Sequence, residues 1–272
     1  MPSRLGIFAI ILFWLTSTTW LIVREIVPLF RTGEPPAFFT DVTDEVRGTT
    51  ITWKILRKGQ NIGWGESQVE PRSDRTFLLS SILRFKDFPI LVADVTKIAG
   101  RYRVDRDGNL KELATEVRIA IGGRSMQGEI KGAVRDGVLS PRIFIDGIET
   151  DLGPLQPKPV NVGVHGNVLN TMHLVNKIPG LYAGRSWRVP LIDPLGALLP
   201  GQKSDMSVLI AVVGEDDLAW QNQQTPCFRI DYAEPGKKVV AHTWARRSDG
   251  LVLQQEAIQH DIDLVLVREV SK

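Results

Sequence analysis

The chain has 272 residues, with 33 lysines and arginines against 31 aspartates and glutamates. That near balance argues against a nucleic-acid-binding protein, which needs a clustered basic surplus. The single cysteine, Cys227, excludes an intrachain disulfide and any multi-cysteine metal site, and the absence of any run of five like charges leaves a polybasic lipid-binding tail unsupported.

Residues 5–23, LGIFAIILFWLTSTTWLIV, are nineteen residues without a charge, set between Arg4 and Arg24. As a helix rising about 1.5 Å per residue, they span roughly 28 Å, close to the hydrocarbon thickness of a bilayer. The segment is read as a single transmembrane helix behind a stub at 1–4. The rival is a cleaved signal peptide, whose apolar core is usually shorter and ends in small residues. Here the only small cluster, Thr16 to Thr19, is followed at once by Trp20. The flanking arginines, Arg4 against Arg24 and Arg31, nearly cancel in the positive-inside count. The short stub therefore sets the expected orientation, with the bulk of the chain outside the cytoplasm.

Residues 24–46 are expected to be a linker, stiffened by Pro35 and Pro36 and solvated by acidic residues. From Thr49 the hydrophobic period becomes two, and residues 47–272 read as a β-rich extracytoplasmic domain. Hairpin signals stand at Lys58-Gly59, Asp107-Gly108, Asp136-Gly137 and Asp146-Gly147. The stretch LGPLQPKPVNVG is too rich in proline for a central strand. Apolar residues at 164, 168, 169, 172 and 175 predict one short helix over 164–177, stopped by Pro179-Gly180. A second β block starts at Ser186. The fold expected is mainly β: an antiparallel meander, curved sheet or half-barrel with one short helix, plus the N-terminal membrane helix. RYRVDRDGNLKEL and HTWARRSDGLVLQQE echo one another, with their Asp-Gly pairs 142 residues apart. That echo raises two related halves at 47–155 and 178–272.

The order PGLYAGRSWRVPLIDPL, a VVG strand, TPCFRIDYAE, HTWARRSDGLVLQQEA and LVLVRE resembles a family of exported bacterial β-rich domains. IGWGESQVEP and RYRVDRDGNL fit the first half of the same pattern. In larger relatives that domain precedes a transglutaminase-like domain. The resemblance covers roughly residues 50 to 270, rests on structural glycines, prolines and hairpins, and implies an exported module. The transglutaminase part is expected to be absent here, and Cys227 lies inside the β domain, so no catalytic residue carries over.

The chemistry-bearing residues read as structural. His165 and His173 are eight apart, the wrong spacing for a helical zinc pair, and His242 and His260 sit in different strands with no carboxylate pattern joining them. GRSW at 184–187 lacks the glycine that a nucleophile elbow requires after Ser186. Gly122-Gly123 lacks the Lys-Ser/Thr of a phosphate loop and reads as a turn. Asp216 and Asp217 in GEDDLAW lack the alternation of a calcium loop and read as a solvated turn. Cys227 reads as a buried thiol. Trp53, Trp64, Trp187, Trp220 and Trp244 read as packing residues, with Trp64, between Gly63 and Gly65, the candidate for a ligand-facing position.

No catalytic, cofactor or metal site is therefore expected, and the membrane partner is expected through residues 5–23. Three functions stay open: a non-catalytic, membrane-tethered binding or assembly module of the bacterial envelope; a carrier of lipid or another apolar ligand in a curved-sheet cavity; and an enzyme of unknown class.

Overall fold

Alternating burial along each strand is what builds this molecule. In β1 (Ile51–Arg57), Ile51, Trp53 and Ile55 point into the core while Lys54 is exposed, as period-two side chains must on a sheet with one covered face. The computed structural model describes residues 4–21, 33, 35–36, 50–86, 88–90, 93–106, 108–150, 160–161, 170–191, 207–258 and 263–269.

Fifteen further strands follow: β2 (Gln60–Pro71), β3 (Phe77–Phe85), β4 (Pro89–Ile90), β5 (Ala93–Val104), β6 (Leu110–Ile121), β7 (Arg124–Arg135), β8 (Val138–Ile145), β9 (Ile148–Glu149), β10 (Val160–Asn161), β11 (Ser186–Pro190), β12 (Val208–Trp220), β13 (Gln223–Ala233), β14 (Val239–Arg246), β15 (Val252–Ala257) and β16 (Leu264–Arg268). All belong to one sheet. Its path runs β10-β8-β7-β6-β5-β3-β2-β1-β16-β15-β14-β13-β12-β11, with β4 and β9 paired alongside. The N-terminal and C-terminal meanders meet where β1 pairs antiparallel with β16, Trp53 opposite Arg268. The mainly β, antiparallel, curved-sheet reading thus stands.

The turns follow the sequence signals closely. Lys58-Gly59, Gly122-Gly123, Asp136-Gly137 and Asp146-Gly147 are two-residue hairpin turns with both φ angles positive, the twist-matched geometry for a hairpin. Of Asp107-Gly108, Asp107 lies outside the described residues. On either side of it Val104 pairs with Leu110, and the Asp105 carboxylate accepts the Asn109 backbone N–H at 2.9 Å.

Two expectations fail. The GEDDLAW stretch is not a turn, because β12 continues through it and reverses only at Gln221-Asn222, at φ 53° and 61°. The larger correction concerns the helix over 164–177. Residues 164–169 lie outside the described residues, but 170–177 form a turn and then an extended strap. Asn170 sets the described stretch in a turn and not a helix. Its side-chain oxygen accepts the Met172 N–H at 2.9 Å, and its carbonyl accepts the His173 N–H at 2.9 Å, the local competition that Asn offers the backbone.

The strap crosses the covered face of the sheet. Met172, Leu174, Val175 and Ile178 join Trp53, Trp187, Ile98, Val117, Leu209 and Leu266 in the main core cluster. Its polar groups are met from both meanders. Ser81 Oγ lies 2.8 Å from His173 Nδ1, and Asn170 Nδ2 donates to Tyr102 Oη at 2.8 Å. Gln255 accepts the Val175 N–H at 2.9 Å and donates to the His173 carbonyl at 3.2 Å. Ser67 Oγ donates to Asn176 Oδ1 at 2.5 Å, and the Arg268 guanidinium donates to the Asn176 carbonyl at 3.1 Å. Glycines make the room. A Cβ on Gly65 would stand 3.0 Å from Leu174 Cδ1 and 2.8 Å from Leu83 Cδ2, and one on Gly100 would stand 3.1 Å from His173 Nδ1.

Before the domain, α1 (Arg4–Leu21) is an 18-residue helix whose side chains Ile10 to Leu15 are all exposed, Phe13 at 74%. Among the described residues no helix is long and apolar enough to cross a membrane. Most of the expected linker lies outside the described residues, but three of its positions do not stand off the domain. The Gly33 N–H donates to the Ser186 carbonyl at 2.8 Å, Pro35 is half-buried and Pro36 is buried.

Two outcomes test this core. Gly65→Ala is expected to destabilise the fold by about 1–3 kcal/mol through overpacking against Leu83 and Leu174, measured by urea denaturation. Burial holds His173 neutral, with its pKa lowered to about 3. An unfolded histidine titrates near 6.5, so between about 6.5 and 3 the unfolded chain binds a proton that the folded chain does not. Stability is therefore expected to fall as pH drops through that window, by up to about 1.4 kcal/mol per pH unit, and His173→Gln to flatten this slope in thermal melts taken across the same range.

Candidate anion-binding groove

The face of β3, β5, β6, β7 and β8 turned away from the core carries charge where the other carries the core. Tyr102, Leu113 and Ile130 point inward, so Arg101, Arg103, Glu112, Ala114, Lys131 and Ala133 stand on the opposite side. Register sorts these into two cross-strand rows. In the first, Ser80 faces Arg101, Arg101 faces Ala114, Ala114 faces Lys131, and Lys131 faces Arg142. In the second, Leu78, Arg103, Glu112, Ala133 and Ser140 follow one another across the same five strands.

The rows line a half-open groove of about 1040 Å³, with the Pro71–Asp74 turn at its rim. Its floor is low because Ala114, Ala133 and Ser140 end at or just past Cβ, while the walls are long arginines and lysines. Six cations line it, Arg72, Arg101, Arg103, Lys131, Arg135 and Arg142, against two carboxylates, Asp74 and Glu112. A chain of nearly balanced charge has thus concentrated one sign in one place.

Part of that charge is already paired. Arg103 bridges Glu112 at 2.7 Å and Asp74 at 3.7 Å. Lys131 meets Glu129 at 2.9 Å and lies 4.7 Å over the Phe144 ring, and Arg142 reaches Glu149 at 3.7 Å. The Thr76 hydroxyl, donating to Asp74 at 2.5 Å, is the main reason that carboxyl is held below its ordinary value. Among the described residues Arg72, Arg101 and Arg135 have no carboxylate partner. Guanidinium forks with open valence beside a small-residue floor suit carboxylate or phosphate.

The second meander carries a different network on its outer face. The Arg229 guanidinium grips Asp231 through Nε at 2.9 Å and Nη2 at 3.2 Å, and Asp231 also lies 2.7 Å from His242 Nδ1. Asp216 accepts the Trp244 indole N–H at 3.0 Å, the largest influence holding its carboxyl low. His242 thus meets a carboxylate, because register places Asp231 directly opposite it. Among the described residues no hydroxyl or thiol hydrogen-bonds to His242, so the pair lacks a nucleophile. The Ser81–His173 pair has a hydroxyl, but both residues are buried and no carboxylate orients the ring among the described residues.

Of the other sequence candidates, His165 and His260 lie outside the described residues. Ser186 is in β11 and its carbonyl pairs with Gly33. Asp217 is exposed in β12. Trp53 and Trp187 are fully buried, Trp244 nearly so, and Trp220 half-buried, while Trp64 is 40% exposed with the Arg84 guanidinium 5.5 Å from its ring. Among the described residues no three metal-ligating side chains converge. Sequence reasoning missed the groove because its residues come from five strands. The signal available was the i, i+2 pairing of Arg101 with Arg103, and of Lys131 with Ala133 and Arg135.

The sequence matches no described protein family and no curated protein. A solved structure, the crystal structure of a β-barrel-like protein of domain of unknown function DUF1849 from Brucella abortus, aligns with 84% of this chain and 98% of its own, at TM-score 0.43 and 10% identity. At that level nothing of it is transferred to this chain.

Cys227 is buried against Leu218, Trp244 and Leu253, and burial pushes its thiol up. It is expected to resist a thiol reagent at pH 8 in the native protein and to react within minutes in denaturant, as followed by absorbance of the released chromophore.

Proposed function

We propose that the protein is a membrane-tethered, non-catalytic binding module of the bacterial envelope, with its β domain outside the cytoplasm and its groove receiving an anionic partner. The observation that carries this reading is the concentration of six cations around one recess in a chain of net charge +2. Electrostatic complementarity of this kind steers association and fixes register. The tether is supported by the apolar run at residues 5–23 and by the exposure of Ile10 to Leu15 on α1, since a solvent-facing apolar surface of that extent marks a membrane or partner contact.

What weighs against a carrier is the strap. Residues 170–178 occupy the covered face of the sheet, where an apolar ligand would have to lie. What weighs against an enzyme is that neither histidine pair joins a nucleophile, a base and an orienting group at an accessible position.

Crosslinking of the full-length protein in native membranes is expected to capture a recurrent partner, and Arg101→Glu with Arg142→Glu to remove that capture while leaving the protein in the membrane pellet. Undiminished capture by the double variant sinks the groove reading. Deletion of residues 1–24 is expected to move the protein into the soluble fraction, and a deleted form still in the pellet contradicts the tether.

A further inference from the structure

Resting on the binding role above, we propose that the groove receives an extended acidic peptide segment of a partner protein, and that Ala114 is the seat of a peptide carboxylate held between Arg101 and Lys131. The register carries the argument. Arg101, Ala114 and Lys131 are consecutive in one cross-strand row. Strands are about 4.8 Å apart, so the two cations flank the alanine at about one strand spacing on either side. A methyl group there leaves the space above it open, and Arg101 has no carboxylate partner among the described residues. On the neighbouring row Arg103 has one, Glu112, placed directly opposite it. The protein thus shows in Arg103–Glu112 the contact that the ligand supplies to Arg101.

The surroundings select the ligand class. Glu112 and Asp74 on the groove lining, with Glu129 beside Lys131, repel a uniformly dense polyanion. They accept the backbone N–H groups and the occasional cation that a peptide carries between its acids. A lipid surface is planar, whereas this seat is recessed between long side chains and the Pro71–Asp74 rim. Crossing β3, β5, β6, β7 and β8 covers roughly 19 Å, the reach of about six extended residues.

The test uses the full-length protein in non-ionic detergent and a fluorescent hexapeptide in which glutamate alternates with serine, read by anisotropy. Wild type is expected to bind with an affinity that falls as salt rises. Ala114→Glu places a tethered carboxylate in the seat and is expected to weaken binding about tenfold or more, as is Arg101→Ala, whereas Ala114→Ser, which leaves the seat open, stays within about twofold. Circular dichroism confirms that each variant is folded, and Ala114→Ser with Arg101→Ala decides the matter if Ala114→Glu is not. Peptide binding unchanged by Arg101→Ala overturns the seat. Absence of peptide binding, or binding only to phosphatidylglycerol vesicles, overturns the peptide assignment. If the native crosslink is still lost in the Arg101→Glu, Arg142→Glu protein, the groove's binding role survives that failure; if the crosslink persists as well, both readings fall.

Discussion

Nine residues, Asn170 to Ile178, cross the covered face of a curved sheet, and a chain buried there must find a partner for each of its polar groups. That obligation shapes much of the molecule. It accounts for polar residues at inward positions where alternation alone calls for apolar ones: Ser67, Ser81 and Gln255 are all buried. It also fits the glycines at Gly65 and Gly100, where a Cβ would crowd both the strap and the neighbouring sheet side chains. It also links the two meanders, because Ser67, Ser81 and Tyr102 come from one and Gln255 and Arg268 from the other. Together the strap and the β1–β16 pairing make one core from two runs of strands.

A sheet whose inner face is so committed has only its outer face left for recognition. The outer residues of β3 to β8 pack against nothing else described, and they can vary in charge without disturbing Leu113 or Ile130 one position away. The groove exists because small residues were placed on that face at Ala114, Ala133 and Ser140, beside long cationic ones. The second meander uses the same freedom differently. There Asp216, Arg229, Asp231, His242 and Trp244 satisfy one another, leaving a closed network in place of an open one.

Much of the fold was legible in the sequence, and the reason is local. Period-two alternation and the Asp-Gly, Lys-Gly and Gly-Gly turns act over a few residues, so they could be read one hairpin at a time. Three things were not legible. The strap read as a helix because spacing of apolar residues on a chain buried from both sides imitates a helical face, and the decisive Asn170 turn lies at its edge. GEDDLAW read as a turn because acidic residues on an outer strand face look the same as loop residues. The groove and the Asp231–His242 contact depend on register between strands, which separates partners by 11 residues in one case and brings five strands together in the other. Trp64, singled out for its flanking glycines, was rightly set apart from the buried tryptophans, but those glycines serve the close approach of β3 and the strap.

The pairing of β1 with β16 has a consequence for how the chain reaches this state. Strand β1 is made first and must wait more than two hundred residues of synthesis for Leu264–Arg268 to arrive. Until then one edge of the N-terminal meander lies open, with Ile51, Trp53 and Ile55 beside unpaired backbone groups, the kind of edge on which chains aggregate. Closing so long a loop is also slow. A protein with this topology spends its early life needing protection, and the last strand to form is the one that ends that need.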